Sequence, residues 1–143
     1  MSPRDIAFAV CLFASGCASA NAPTPVTASL SACAVGDAMV ETQLFFGLSK
    51  PSGGTVGPRE WEAFVAREIA PRLPEGFTVL DGAGFWRDAA TAKTISEKSK
   101  VVVRLRPPGA EADATLDAIA AAYKKAFAQD SVLRIDRPVC ARF

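Results

Sequence analysis

The feature that most constrains this chain is a succession of hydrophobic periods. Between Val40 and Leu48 the period is two. Val40, Thr42, Leu44, Phe46 and Leu48 fall on one side, and Glu41, Gln43, Phe45 and Gly47 on the other. That pattern is a strand with one buried face. After the Gly- and Pro-rich loop Ser49 to Gly57, the period becomes helical, with Trp61, Phe64, Val65 and Ile69 on one stripe. Pro58 suits the first turn of this helix, and Pro71 and Pro74 end it. The period of two returns at Phe77 to Asp81, where Gly82 and Gly84 are expected to break or bulge the strand before Phe85-Trp86-Arg87 resumes it. Asp88 to Thr94 reads as a hairpin turn and Ile95 to Arg106 as the third strand. A second helix runs from about Ala112 to Ala128, on the stripe Leu116, Ile119, Ala120, Tyr123 and Phe127. Ser131 to Asp136 is a fourth strand, with Leu133 and Ile135 expected inward.

The order strand, helix, strand, strand, helix, strand is the split βαβ, ferredoxin-like pattern of an α+β fold. Right-handed crossovers then place both helices on one face of a four-stranded antiparallel sheet, in the order 4-1-3-2. Half of the 143 residues are hydrophobic, enough for a core without a metal.

Ahead of this domain stand two segments of other kinds. Ile6 to Ala14 is apolar and too short to span a bilayer, as in the h-region of a signal peptide. Ala14-Ser15-Gly16-Cys17 has the form of a bacterial lipobox with Cys17 as the acylated residue. Ala18-Ser19-Ala20 offers an ordinary cleavage site instead. Residues 1–20 are therefore read as an export signal, 21–38 as a flexible tether and 39–143 as one domain. The expected location is the periplasm or cell envelope as a lipoprotein, with membrane contact through the lipid anchor alone, or otherwise secretion.

Topology pairs two of the four cysteines. Cys11 leaves with the signal and Cys17 is the lipidation candidate. Cys33 precedes the first strand and Cys140 lies near the end of the fourth, its expected antiparallel neighbour. In an oxidising compartment a Cys33–Cys140 disulfide follows.

Composition excludes several chemistries. A net charge of +1 gives no field for nucleic acid. The absence of His removes Ser-His-Asp and Cys-His catalysis, along with His-ligated metals and haem. No Cys or carboxylate cluster has metal spacing, Gly53-Gly54 lacks the continuation of a phosphate loop, and no cofactor is expected.

The remaining candidates sit near the hairpin: Trp86, Arg87, Glu97, Ser99 and Lys100. Glu97 and Ser99 share the parity of Val101 and Val103, expected to face the core, with Lys98 and Lys100 opposite. A carboxylate with a hydroxyl and a base nearby suits acid–base work or a polar ligand. A frayed strand end with a surface ion pair fits the same residues. The sheet face away from the helices is expected to show Glu41, Gln43, Phe45, Val102, Arg104, Val132, Arg134 and Asp136, with Thr78 or Leu80. Phe45, Val102 and Val132 are too apolar as a group for open water, which suggests a homodimer through this face or a ligand lying on it among Arg104, Arg134 and Glu41, while scattered apolar residues of no consequence fit the same pattern.

ETQLFFGLSKPSGG, REWEAFVAREIAPRLPEGFTVLDGAGFWRD, ISEKSKVVVRL and AIAAAYKKAFAQDSVLRIDRPV resemble domain-of-unknown-function family 3574 over about residues 40–143. Phe85 stands where that family more often has Gln. The resemblance implies a small exported bacterial protein, often a lipoprotein, and implies no activity. Two functions follow as expectations: a small binding or interaction module, or a cofactor-free enzyme with a pocket near Trp86, Arg87, Glu97 and Lys100.

Overall fold

The computed structural model describes residues 33–143. The expected export signal with Cys11 and Cys17, and residues 21–32 of the expected tether, lie outside the described residues. The elements are β1 (Asp37–Gly47), α1 (Pro58–Phe64) running into a π-helical turn (Val65–Ile69), β2 (Thr78–Arg87), β3 (Thr94–Arg106), α2 (Ala110–Phe127) and β4 (Leu133–Ala141). They form one antiparallel sheet in the order β2-β3-β1-β4, the ferredoxin-like arrangement read from the sequence.

β1 begins at Asp37 because Asp37 and Ala38 pair with Ala141 and Cys140 at the end of β4. That pairing brings Cys33 and Cys140 to a Cα–Cα distance of 5.6 Å, and the two are joined by a disulfide. Pro138 is accommodated on β4 because β4 is an edge strand, where a missing N–H costs little. β2 is unbroken from Thr78 to Arg87, contrary to the expected interruption at Gly82 and Gly84. Gly82 makes room instead of bending the strand: a Cβ there would stand 2.6 Å from Ser99 Oγ.

The core lies between the sheet and the two helices. Leu44, Phe46 and Val102 from the sheet meet Trp61, Phe64 and Ile69 from the first helical segment, and Leu116, Ile119 and Tyr123 from α2. Aromatic rings dominate its centre. Phe46 and Tyr123 pack edge to face at 4.8 Å, and Phe64 and Tyr123 at 5.1 Å. The Tyr123 hydroxyl, fully buried, donates to the Gly47 carbonyl at 2.7 Å.

The register bears out the expected open-face placement of Thr78 and Leu80 on β2 and corrects the expected faces of β3 and β4. Direct cross-strand partners share a face, and Leu44 is opposite Val102 and Arg134, Thr42 opposite Arg104 and Asp136, and Phe46 opposite Lys100. Val102, Arg104, Arg134 and Asp136 therefore lie under the helices. Val101, Val103, Leu133 and Ile135 lie on the open face. The physical reason is compensation. Arg106, 3% exposed, donates through Nε to the Thr42 hydroxyl and through Nη2 to Asp113 and Asp136. Arg134 binds Asp113 and Asp117 of α2, and Arg104 donates to Glu75 at 3.0 Å. Acids brought by α2 and by the segment before β2 allow these guanidinium groups to sit on the covered face.

Candidate functional site

The open sheet face presents an almost continuous apolar surface. Trp86 and Leu80 come from β2, Ile95, Val101, Val103 and Leu105 from β3, Phe45 from β1, and Leu133 and Ile135 from β4. Leu133 is 57% exposed, Leu80 51% and Trp86 48%. The alternation of each strand puts these residues here, and no second layer covers them among the described residues. The charges at the β1–β4 side are settled internally. Glu41 accepts from Arg137 at 2.8 Å and from Gln43 at 2.6 Å.

Within this face is one polar spot. Glu97 lies opposite Gly84, and Ser99 lies opposite both Gly82 and Gly47. Three glycines thus flank one carboxylate and one hydroxyl. A Cβ on Gly47 would stand 2.7 Å from Glu97 Oε1, so a side chain there would displace the carboxylate. Glu97 accepts the Ser49 N–H at 3.1 Å. On the far side of the strand, burial raises the Tyr123 hydroxyl above its ordinary range, and the negative charges of Glu97 and Glu60 add to the effect.

The five residues singled out from sequence divide between two faces. Trp86, Glu97 and Ser99 share the open face. Arg87 and Lys100 have the opposite parity: Arg87 stands exposed at the hairpin end, and Lys100 binds Asp81 on the helix side. The hairpin itself is closed by Asp88, whose carboxylate accepts from the Thr91 N–H and hydroxyl, both at 2.6 Å. Those bonds, hydroxyl first, hold the Asp88 carboxyl below its ordinary range.

Sequence reasoning missed Leu133, Ile135, Val103 and Leu105 as residues of the open face. The signal that would have found them is Asp113. It stands three residues before Leu116, on the buried stripe of α2, and an acid there requires a base beneath it. Arg106 and Arg134 supply that base, which fixes the parity of β3 and β4.

Two of the recesses on the helix side bring charged groups together at the sheet. One, of about 760 Å³, is bounded by Arg106, Asp113, Arg134 and Asp136, whose charges bond one another. Burial alone would raise the Asp136 carboxyl. The bonds from Thr42, Arg134 and Arg106 outweigh it and hold the group below its ordinary value. The other recess, of about 800 Å³, lies between the loop after β1, the start of α1 and the β2–β3 ladder. No helix among the described residues is long and apolar enough to cross a membrane.

A family model described as "Protein of unknown function (DUF3574)" matches residues 41–143. No curated protein matches the sequence. Among solved structures, a phage SAM lyase in complex with S-methyl-5'-thioadenosine is similar in fold, with 15% identity and a TM-score of 0.54. The match covers 75% of this chain and 93% of that one. A phage SAM lyase in the apo state has 18% identity and a TM-score of 0.49, over 76% of this chain and 94% of that one.

Proposed function

The chain belongs to the DUF3574 family, whose description names no activity, and from its own surfaces we propose that it is an exported interaction module that self-associates through the open sheet face. The exposed apolar sheet face carries this reading. Four strands spaced about 4.8 Å apart, each about nine residues long at roughly 3.3 Å per residue, offer a projected area near ~600 Å². Side-chain relief brings that close to the ~800 Å² per partner of a stable complex. Glu41 on this face is already paired to Arg137, so a second copy can cover that pair without leaving its charges bare. An envelope location, with Cys17 as a lipid anchor or with ordinary cleavage after Ala20, belongs to the same proposal. The Cys33–Cys140 disulfide is consistent with it.

Iodide quenching of tryptophan tests the interface. Trp61 is buried and Trp86 is half exposed, so the quencher reports on Trp86. Trp86 in the wild-type protein is expected to be shielded relative to the same residue in a Leu80→Lys, Leu133→Lys variant. Equal quenching in the two proteins sinks the reading.

A second reading, an enzyme, is favoured by one observation: the carboxylate of Glu97 set among glycines beside Trp86 in an otherwise apolar face. A carboxylate and an aromatic ring together suit a cationic substrate such as a sulfonium. The fold likeness to a SAM lyase makes S-adenosylmethionine the first substrate to try. Release of S-methyl-5'-thioadenosine by the wild type and its loss in Glu97→Gln would support this reading. No release by the wild type would remove this substrate.

A further inference from the structure

We propose that the recess of about 800 Å³ on the helix side is a binding site for an aromatic monocarboxylate. Lys98 and Lys100 stand on the side of β3 opposite Glu97, and Gly82 and Ser99 border the recess where it nears the open face.

The walls are fixed before any ligand arrives. Leu48 N–H donates to the Lys98 carbonyl at 2.9 Å, and Val56 N–H donates to the Leu48 carbonyl at 2.7 Å. An isolated bridge between Ser49 and Thr55 closes the loop around Gly53 and Gly54, both with positive φ. The loop is thus pinned to the end of the sheet, and its apolar residue Val56 is buried against the core. At the first turn of α1, Glu60 accepts the Gly57 N–H and holds Lys50, fixing the other wall.

The lining divides by chemistry. Leu48, Val56, Pro58 and Trp61 give an apolar, partly aromatic floor, which suits a flat ring. Lys98 and Lys100 bring two ammonium groups to the rim. Lys100 already binds Asp81, whereas no carboxylate pairs with Lys98 among the described residues. Lys98 is therefore the group that a ligand's charge would meet. Glu62 and Asp81 also border the recess. Two bases against two acids leave no surplus to hold a dianion such as a phosphate monoester. A single negative charge placed at Lys98 is favoured, and an apolar ring fills the remaining space. A volume of this size lies within the roughly 300–1,000 Å³ range of small-molecule sites.

Calorimetric titration of the purified full chain with benzoate, phenylacetate and indole-3-acetate tests the assignment, each probe being paired with its uncharged amide. At least one carboxylate is expected to bind with a Kd below about 1 mM, and at least tenfold more tightly than its amide. Lys98→Gln should weaken that binding about tenfold, Lys98→Arg should restore it, and Lys93→Gln, a change in the hairpin loop, should leave it unchanged. Equal binding of acid and amide, no binding of any of the three acids, or full binding by Lys98→Gln would each overturn the proposal. The wild-type comparison of acid with amide stands whether or not a variant folds.

Discussion

Outside β1 the two faces of the sheet differ in an unusual way: several charged side chains sit under the helices and several apolar ones face outward. Under the helices lie Arg104, Arg106, Arg134 and Asp136, tied to acids from α2 and from the segment before β2. On the open side lie Leu80, Leu105, Leu133 and Ile135, with nothing over them among the described residues. The difference teaches that partner supply, not polarity, decides where a side chain goes. A guanidinium with its hydrogen bonds satisfied tolerates burial. An apolar face without a partner is held in place by the backbone ladder and stays ready for one.

The largest expected effect falls on the clasp that keeps β4 on the sheet and so keeps both faces whole. The Cys33–Cys140 bridge spans a sequence separation of 107 residues. The chain-entropy model gives about 4–5 kcal/mol for a loop of roughly that length. Cys140→Ser is expected to lose about 4 kcal/mol in urea unfolding, and a loss below about 1 kcal/mol would contradict that role.

Next comes the covered face. Arg106→Met removes a buried guanidinium and its bonds to Thr42, Asp113 and Asp136, but the two acids are 46% and 38% exposed and keep Arg134, so a loss of about 1–2 kcal/mol is expected at neutral pH. Leu133→Ser on the open face provides the contrast. It is expected to change the unfolding free energy of the monomer by less than about 0.5 kcal/mol, because Leu133 gains little shelter in a single copy. If the two substitutions cost the same, the contrast between the faces fails.

The smallest effects are those of pH. Asp136 has its carboxyl held below the ordinary value of 3.8, so folding favours the ionised form. The stabilisation is complete above that value and is lost as pH falls through the lowered native one. Asp136→Asn should flatten this acid limb. Tyr123 behaves in the opposite sense. Its raised value favours the neutral hydroxyl, so its contribution is complete below its ordinary value of 10.0 and is lost as pH rises above it. Tyr123→Phe should remove that alkaline limb, and a limb of unchanged size would show that another group causes it.

The fold was legible because the periods of two and of 3.6 switch cleanly, and each switch carries its own punctuation in Pro58, Pro71 and Pro107-Pro108-Gly109. The disulfide was legible because topology brings the start of β1 to the end of β4. The faces of β3 and β4 were not. In Val101 to Arg106 both parities contain valines, so alternation alone does not choose between them, and the arginines pointed to water. The choice was made at a distance of several residues by Asp113 and Asp117 on α2, which periodicity within one strand does not register. Alternation along β3 already set Lys98 and Lys100 opposite Glu97 and Ser99; the choice of parity decided which pair faces the helices, leaving Glu97, Ser99 and Trp86 on the apolar face.

The central claim is that this face is covered by a second copy, and the solution mass tests it most directly. Sedimentation equilibrium of the purified protein is expected to give twice the chain mass for the wild type and a single chain mass for the Leu80→Lys, Leu133→Lys variant. A wild-type protein that stays at one chain mass at high concentration, or a variant that still pairs, would contradict the account.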